Sequence, residues 1–324
     1  VGLAADERLY VAAGGALEVH TVDAESGTLR LVQRFELPGA GPFSFSPDRK
    51  WLYVSTRKEK APAAIATLSV GADGTLAPGE VHPVRIRPGS LRSDRRGRFL
   101  AGNHYRDGKA TIWKLEEGRY RGTEVQQVPL EEKAHDAVFS PDNRWLLVPA
   151  TGPNKVFVLR FDEDSGRAVP NDPPFAPGPV NEAKARQPRH LLFHPSTKTG
   201  IVYTTNEREK PGVAVWKWNA REGLLEPIQN IVTQPEGFAG RISTATLRLT
   251  PAADFLYLSN RDGTDRQAPT GRDSIVGFRV DPASGHLELL GHTPCERVPR
   301  SFAITPSGRF VIVAGQGDSQ LGVY

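Results

Sequence analysis

Eight short stretches of this 324-residue chain set Arg, His, Glu or Asn against runs of β-forming residues. Four open such runs: His135-Asp136, Arg189-His190, Ser243-Thr244 and Pro299-Arg300. Four close them: Asn103-His104-Tyr105, Asn206-Glu207, Asn260-Arg261 and Gly315-Gln316. Arginine pairs bidentately with carboxylate or phosphate, so a group of these residues suits an anionic small molecule. A histidine or glutamate among them could move a proton near neutral pH. Other chemistries lack their signatures. There is no Gly-x-Ser-x-Gly for a serine nucleophile. No His, Asp or Glu set has metal-motif spacing, so neither a metal nor a cofactor is expected. Gly39-Ala40-Gly41 is a loop with no helix after it, hence no phosphate-binding loop.

The elements that carry these stretches follow from an internal repeat. A polar turn leads into an apolar strand at Ala5–Val11, Ser46–Val54, Ser93–Leu100 and Ser140–Val148. It recurs at His194-Pro195 before Ile201-Val202-Tyr203, Thr250-Pro251 before Phe255-Leu256-Tyr257, and Thr305–Val311. Proline pre-sets φ in the turn, while Ser, Thr or Asp bonds the backbone beside it. A glycine turn follows each core, as at Gly27, Gly74, Gly118, Gly166, Gly223 and Gly285. Glycine supplies the positive φ of a hairpin there. Each unit reads strand, Pro-turn, strand, loop, strand, Gly-turn, strand.

The expectation is therefore an all-β chain, one domain over 1–324: a seven-bladed β-propeller of four-stranded antiparallel blades. Seven second strands are legible but only six first strands, and Tyr324 falls inside the third strand of the last blade. About one inner and one outer strand are missing from the count, so the closing blade is expected to be incomplete and the chain trimmed. In a blade the start of strand one and the end of strand two share a rim, which would gather the eight stretches at one mouth. Alternation along a strand predicts that Arg189 and His190 face opposite ways. His194 reads as structural; His20, His82, His286 and His292 read as exposed. The Gly-, Asp- and Arg-rich segment from Asp262 to Arg272 would lie over the mouth as a lid or as an irregular loop. The run from Pro170 to Pro179 reads as an outer connection.

Composition narrows the partners. The formal charge is only +4, with Lys and Arg spread along the chain rather than striped, which argues against nucleic acid. No apolar run is long enough for a transmembrane helix, and no signal peptide is visible, so a cytoplasmic chain is expected. The single Cys295 excludes a disulfide framework. Oligomeric state is not readable from the sequence.

Several stretches resemble the seven-bladed propeller lactonases, the family of 6-phosphogluconolactonase and carboxymuconate cycloisomerase. The resemblance spans nearly the whole chain. It rests on Ala134-His135 with Ser140–Arg144, Pro188–Pro195, Asn206-Glu207, Leu258–Arg261 with Asp273-Ser274-Ile275, and Pro299–Phe302. It implies His135, Arg189, Glu207 and Arg261 as the catalytic group. His104, His190, Asn206, Arg300 and Gln316 are the expected substrate contacts. The implied reaction is hydrolysis of an anionic sugar lactone, with His135 or Glu207 activating water and the arginines stabilising the oxyanion. A cycloisomerase acting on a dicarboxylate and a non-enzymatic ligand-binding propeller are the alternatives. One departure is Thr246, where the family usually carries an acidic residue.

Overall fold

The computed structural model describes residues 7–179, 187–196, 200–238, 240–263 and 272–324. Every regular element among them is a β-strand. The first sheet holds β1 (Glu7–Ala13), β2 (Ala16–Val22) and β3 (Leu29–Glu36). The second holds β4 (Phe43–Phe45), β5 (Trp51–Thr56), β6 (Ala64–Val70) and β7 (Leu76–Pro83). The third holds β8 (Arg92–Ser93), β9 (Phe99–His104), β10 (Lys109–Glu116) and β11 (Arg119–Pro129). The fourth holds β12 (Val138–Phe139), β13 (Trp145–Ala150), β14 (Lys155–Asp162) and β15 (Arg167–Pro177). The fifth holds β16 (Pro188–Phe193), β17 (Ile201–Asn206), β18 (Gly212–Asn219) and β19 (Leu224–Val232). The sixth holds β20 (Ile242–Leu249), β21 (Phe255–Asp262), β22 (Ser274–Val280) and β23 (Leu287–Pro294). The seventh holds β24 (Pro299–Ile304), β25 (Val311–Gly315) and β26 (Gln320–Val323). These are the blades of a seven-bladed β-propeller. Four strands is not uniform: among the described residues the first sheet has no strand before β1 and the seventh none after β26.

The chain divides into two compact units, Val1–Val148 with Leu159–Pro170 and Pro149–Val158 with Asn171–Tyr324. The division runs through the fourth sheet. In the first unit, Leu17, Val19, Leu52, Val54 and Leu68 pack between the first two sheets. Tyr53, Ile65, Leu100 and Trp113 pack between the second and third. In the second unit, Tyr203, Val213, Val215, Leu256, Leu258 and Phe278 form the core of the fifth and sixth sheets. A blade covered on both sides needs apolar residues on both faces, hence the fully buried β9, β13 and β17.

The recurrent turn has a local cause. In Ser46–Trp51 the Ser46 hydroxyl donates to Asp48 at 2.6 Å and accepts the Trp51 N–H at 3.0 Å. Ser140 repeats this with Asp142 at 2.5 Å and Trp145 at 3.1 Å. The chain then passes through the left-handed region at Arg49 (φ 59) and Asn143 (φ 60). In the hairpin after β14, Gly166 has φ +71, and a Cβ there would stand 2.1 Å from the Phe99 ring. Only glycine meets both demands.

One expectation changes. Residues 170–177 belong to β15, the outer strand of its blade, rather than to a connection. An edge strand tolerates proline because its outward side has no ladder to donate to. The lid expectation falls on a segment of which residues 264–271 lie outside the described residues.

Candidate functional site

Strand direction brings the predicted stretches together within each sheet of the second unit. Pro188 pairs with Asn206, Ser243 with Arg261, Thr244 with Asn260, and Pro299 with Gly315. Each inner strand is also bulged at that end. The register breaks between Pro188 and Leu191, between Thr244 and Leu247, and between Pro299 and Ser301. Arg189-His190, Ala245-Thr246 and Arg300 occupy the breaks. A bulge re-aims side chains and suspends alternation. Arg189 Nη1 accordingly lies 3.1 Å from Nε2 of His190, so the expectation that these neighbours diverge does not hold.

Glu207 is the centre of the arrangement. It is 8% exposed, and its Oε1 lies 3.0 Å from Nη2 of Arg261 and 3.5 Å from Nε of Arg189. Oε2 takes no hydrogen bond from a described residue. The Glu207 backbone is fixed on both sides: its N–H donates to Gln187 O at 2.7 Å and its carbonyl accepts from Thr244 N at 3.2 Å. Arg261 is fixed by Thr244 O at 2.8 Å and Ser243 O at 3.3 Å. Arg189, 1% exposed, donates through Nη1 to the carbonyl of Ala245. Burial lowers the Arg261 pKa, with Glu207 opposing the shift and the charges of Arg300 and Arg208 adding to it. A guanidinium stays protonated under such a shift. A buried carboxylate against two guanidiniums is the arrangement that makes burial of all three tolerable.

The other predicted residues have different placements. Asn206 is fully buried and donates to Asn230 Oδ1 at 2.6 Å, while its carbonyl accepts from Thr244 Oγ1 at 2.8 Å. His190 is half-buried, its N–H on Thr205 Oγ1 at 3.1 Å. Arg300 and Gln316 are exposed, and Gln316 N donates to Val298 O at 3.1 Å. In the first unit His104 is 2% exposed, with Nε2 on Thr111 Oγ1 at 2.7 Å and its ring edge-on to Trp113. Its pKa is lowered, chiefly by burial. His135 is half-buried, edge-on to Tyr105 at 5.3 Å. Beside it Asp136 is fully buried and paired with Arg92 at 3.1 Å. Thr246, where the resemblance leads one to expect an acid, accepts from Arg248 Nη1 at 3.1 Å.

A cavity of about 890 Å³ opens beside Arg261. Arg208, Lys210, Arg241, Ser243 and Phe238 help to line it. Sequence reasoning missed the first three. The signal was present: Arg208 and Lys210 directly follow the end of a second strand, and Arg241 directly precedes a first strand, the same positions that selected Glu207 and Arg189.

The family described as Lactonase, 7-bladed beta-propeller matches residues 6–324. The chain belongs to this lactonase family. A 6-phosphogluconolactonase of Cronobacter sakazakii is 32% identical over 320 residues, 98% of this chain and 90% of that protein. One of an Enterobacter species is 30% identical over 98% of this chain and 91% of its own length. Among solved structures, the periplasmic gluconolactonase of Pseudomonas aeruginosa matches with a TM-score of 0.84 and 26% identity, covering 98% of this chain and 91% of that one. In this member of the propeller lactonase family, Glu207 stands between the guanidiniums of Arg189 and Arg261 in the second unit.

Proposed function

We propose that the protein is a lactone hydrolase acting on a sugar lactone that bears an anionic group, 6-phosphogluconolactone being the first substrate to test. The observation that carries this reading is the half-engaged carboxylate of Glu207. Oε1 is held between Arg189 and Arg261 while Oε2 takes no bond from a described residue, and Arg261, with the neighbouring Arg208, lines a cavity of about 890 Å³. The names of the 30–32% identical relatives support the same reaction.

In this mechanism Oε2 accepts a proton from water as the water oxygen bonds to the lactone carbonyl carbon. Arg261, which lines the cavity, stabilises the negative charge that develops on the carbonyl oxygen. The ring C–O bond then breaks, and its oxygen takes up the proton from Glu207 to leave a hydroxy acid. Arg189 is a positioning residue: fully buried, it holds Oε1 in place and leaves Oε2 toward the substrate.

The test is hydrolysis of freshly prepared 6-phosphogluconolactone by the intact chain and by Glu207→Gln and Arg261→Met. Each variant should lose a factor of about 10² or more in kcat. Undiminished rates in both would refute the mechanism. Turnover of a carboxymuconate with none of the lactone would move the reading to a cycloisomerase.

A further inference from the structure

Three of the segments that line the cavity beside Arg261 are joined at one buried node. They are the turn from Arg208 to Pro211, the connection that follows β19 from Val232 to Phe238, and the end of β21. The node is Thr233 with Asn260, both 0% exposed. Asn260 Nδ2 donates to the Thr233 carbonyl at 2.8 Å. The Thr233 hydroxyl lies 3.0 Å from Asn260 Oδ1, so the two residues close a pair of hydrogen bonds. Thr233 also donates its N–H to Pro211 O at 2.8 Å, and its carbonyl accepts from His292 Nε2 at 2.9 Å.

Asn260 and Arg261 are neighbours on β21, and successive side chains of a strand leave on opposite faces. One accordingly goes to Thr233, the other to Thr244 O and Glu207. This end of the sheet is set apart from the rest. The ladder of β21 with β22 ends at Asn260 and Ser274, and its ladder with β20 is broken between Thr244 and Leu247. Past the break Ile242, Ser243 and Thr244 pair with Asp262, Arg261 and Asn260, and Gly263 N donates to Arg241 O at 2.7 Å. Contacts from outside the sixth sheet fix both strands of that tip. On the β20 side, Thr244 donates to the carbonyls of Asn206 and Glu207 at 2.8 and 3.2 Å. On the β21 side, Thr233 holds the Asn260 amide at both its ends. Neither Thr233 nor Asn260 carries a charge, so their influence on Arg261 is one of geometry. A misplacement of about 1 Å in a group that stabilises a transition state can cost about 10² in rate.

We propose that Thr233 and Asn260 are positioning residues for Arg261: their closed pair fixes the strand end from which the guanidinium reaches Glu207 and the cavity. They act on the reaction through Arg261 alone. The proposal rests on the lactonase reading above.

The experiment measures kcat and KM on fresh 6-phosphogluconolactone for the intact chain, Thr233→Val and Thr233→Ser, and again for Thr233→Val in an Arg261→Met background. Rates are taken per folded molecule, with the folded fraction read by circular dichroism. Thr233→Val keeps the shape of the side chain and leaves Asn260 Oδ1 without its donor. It should lower kcat about tenfold with KM little changed. Thr233→Ser, which keeps the hydroxyl, should recover most of the loss. In the Arg261→Met background Thr233→Val should cost nothing further, because the group it positions is already gone. A purely structural role predicts the same loss in both backgrounds, and that result overturns the proposal. So does an undiminished kcat in Thr233→Val, or an equal loss in Thr233→Ser. If the intact chain turns over no lactone, or Arg261→Met is undiminished, the mechanism above falls instead. Crystal structures of the intact chain and Thr233→Val then decide the positioning. An Arg261 guanidinium moved off Glu207 Oε1 in the variant supports it; an unmoved one overturns it.

Discussion

Arg189, Glu207 and Arg261 form one electrostatic object. Removing Glu207 leaves two buried guanidiniums without a counter-charge, which costs about 3–5 kcal/mol, whereas removing Arg189 leaves the Glu207–Arg261 pair intact and costs less. Glu207→Gln should therefore lower the unfolding free energy by several kcal/mol and Arg189→Met by less, and the double variant should fall short of their sum because the guanidinium repulsion is relieved with Arg189 gone. Denaturant titrations of the four proteins measure this coupling. Strict additivity would mean the three side chains do not act as a unit. His104 gives a second test at this scale. Burial lowers its pKa below the ordinary 6.5, so the folded chain binds this proton less readily than the unfolded chain does. Its stabilising contribution is present above pH 6.5 and is lost as pH falls through the depressed folded value. Melting temperatures taken from pH 7.5 downward should fall less steeply for His104→Gln than for the parent; identical slopes would show that His104 does not titrate with unfolding.

Neighbouring blades are joined by a device that the sheets themselves create. Gln33 exchanges two hydrogen bonds with the backbone of Leu76, both 2.7 Å. Gln126 does the same with Ala168 at 3.0 and 2.9 Å, and Gln229 with Leu287 at 2.8 Å each. Each glutamine sits beside a register shift in the outermost strand of its sheet. The bulge turns its amide toward the next blade, where it pairs like a short piece of strand. Tyrosines add a second stitch, such as Tyr53 Oη on Gly118 O at 2.6 Å and Tyr203 Oη on Gly285 O at 2.9 Å. Gln229→Ala removes two such bonds and leaves two backbone groups unpaired, which should cost about 2 kcal/mol. Thermal unfolding should register it as a drop of several degrees. An unchanged melting temperature would mean that solvent replaces both bonds. These clamps were not legible beforehand, because a lone glutamine in a strand has no signature until the bulge and the partner blade are known.

For the whole molecule, charge distribution matters more than net charge. The formal charge of +4 is small for 324 residues, yet among the described residues the cavity beside Arg261 is lined by Arg208, Lys210, Arg241 and Arg261 against Glu209 and Asp262. A local field of this kind attracts an anionic substrate and is weakened by salt. Raising ionic strength shortens the screening length from about 30 Å at 0.01 M to about 8 Å at 0.15 M. Over that range kcat/KM for an anionic lactone should fall several-fold relative to that for a neutral lactone. Parallel salt curves for the two substrates would contradict electrostatic guidance by this face.

The sequence by itself determined the class of fold and the address of the candidate site. A polar turn followed by an apolar strand recurs seven times, six of the turns with Pro or Gly, and local sterics and burial leave few alternatives to propeller blades. Chain direction then assigned Arg189, Glu207 and Arg261 to shared rims, since antiparallel neighbours bring opposite ends of two strands together. What only the tertiary structure decided is how those side chains are aimed and with whom they pair. A bulge at Arg189-His190 breaks the alternation that a sequence pattern assumes. Burial commits Asn206 to Asn230 and His104 to Thr111, though as sequence both look as available as Glu207. Arg208, Lys210 and Arg241 come together because two connections, some thirty residues apart, are pinned by backbone hydrogen bonds that no local pattern encodes.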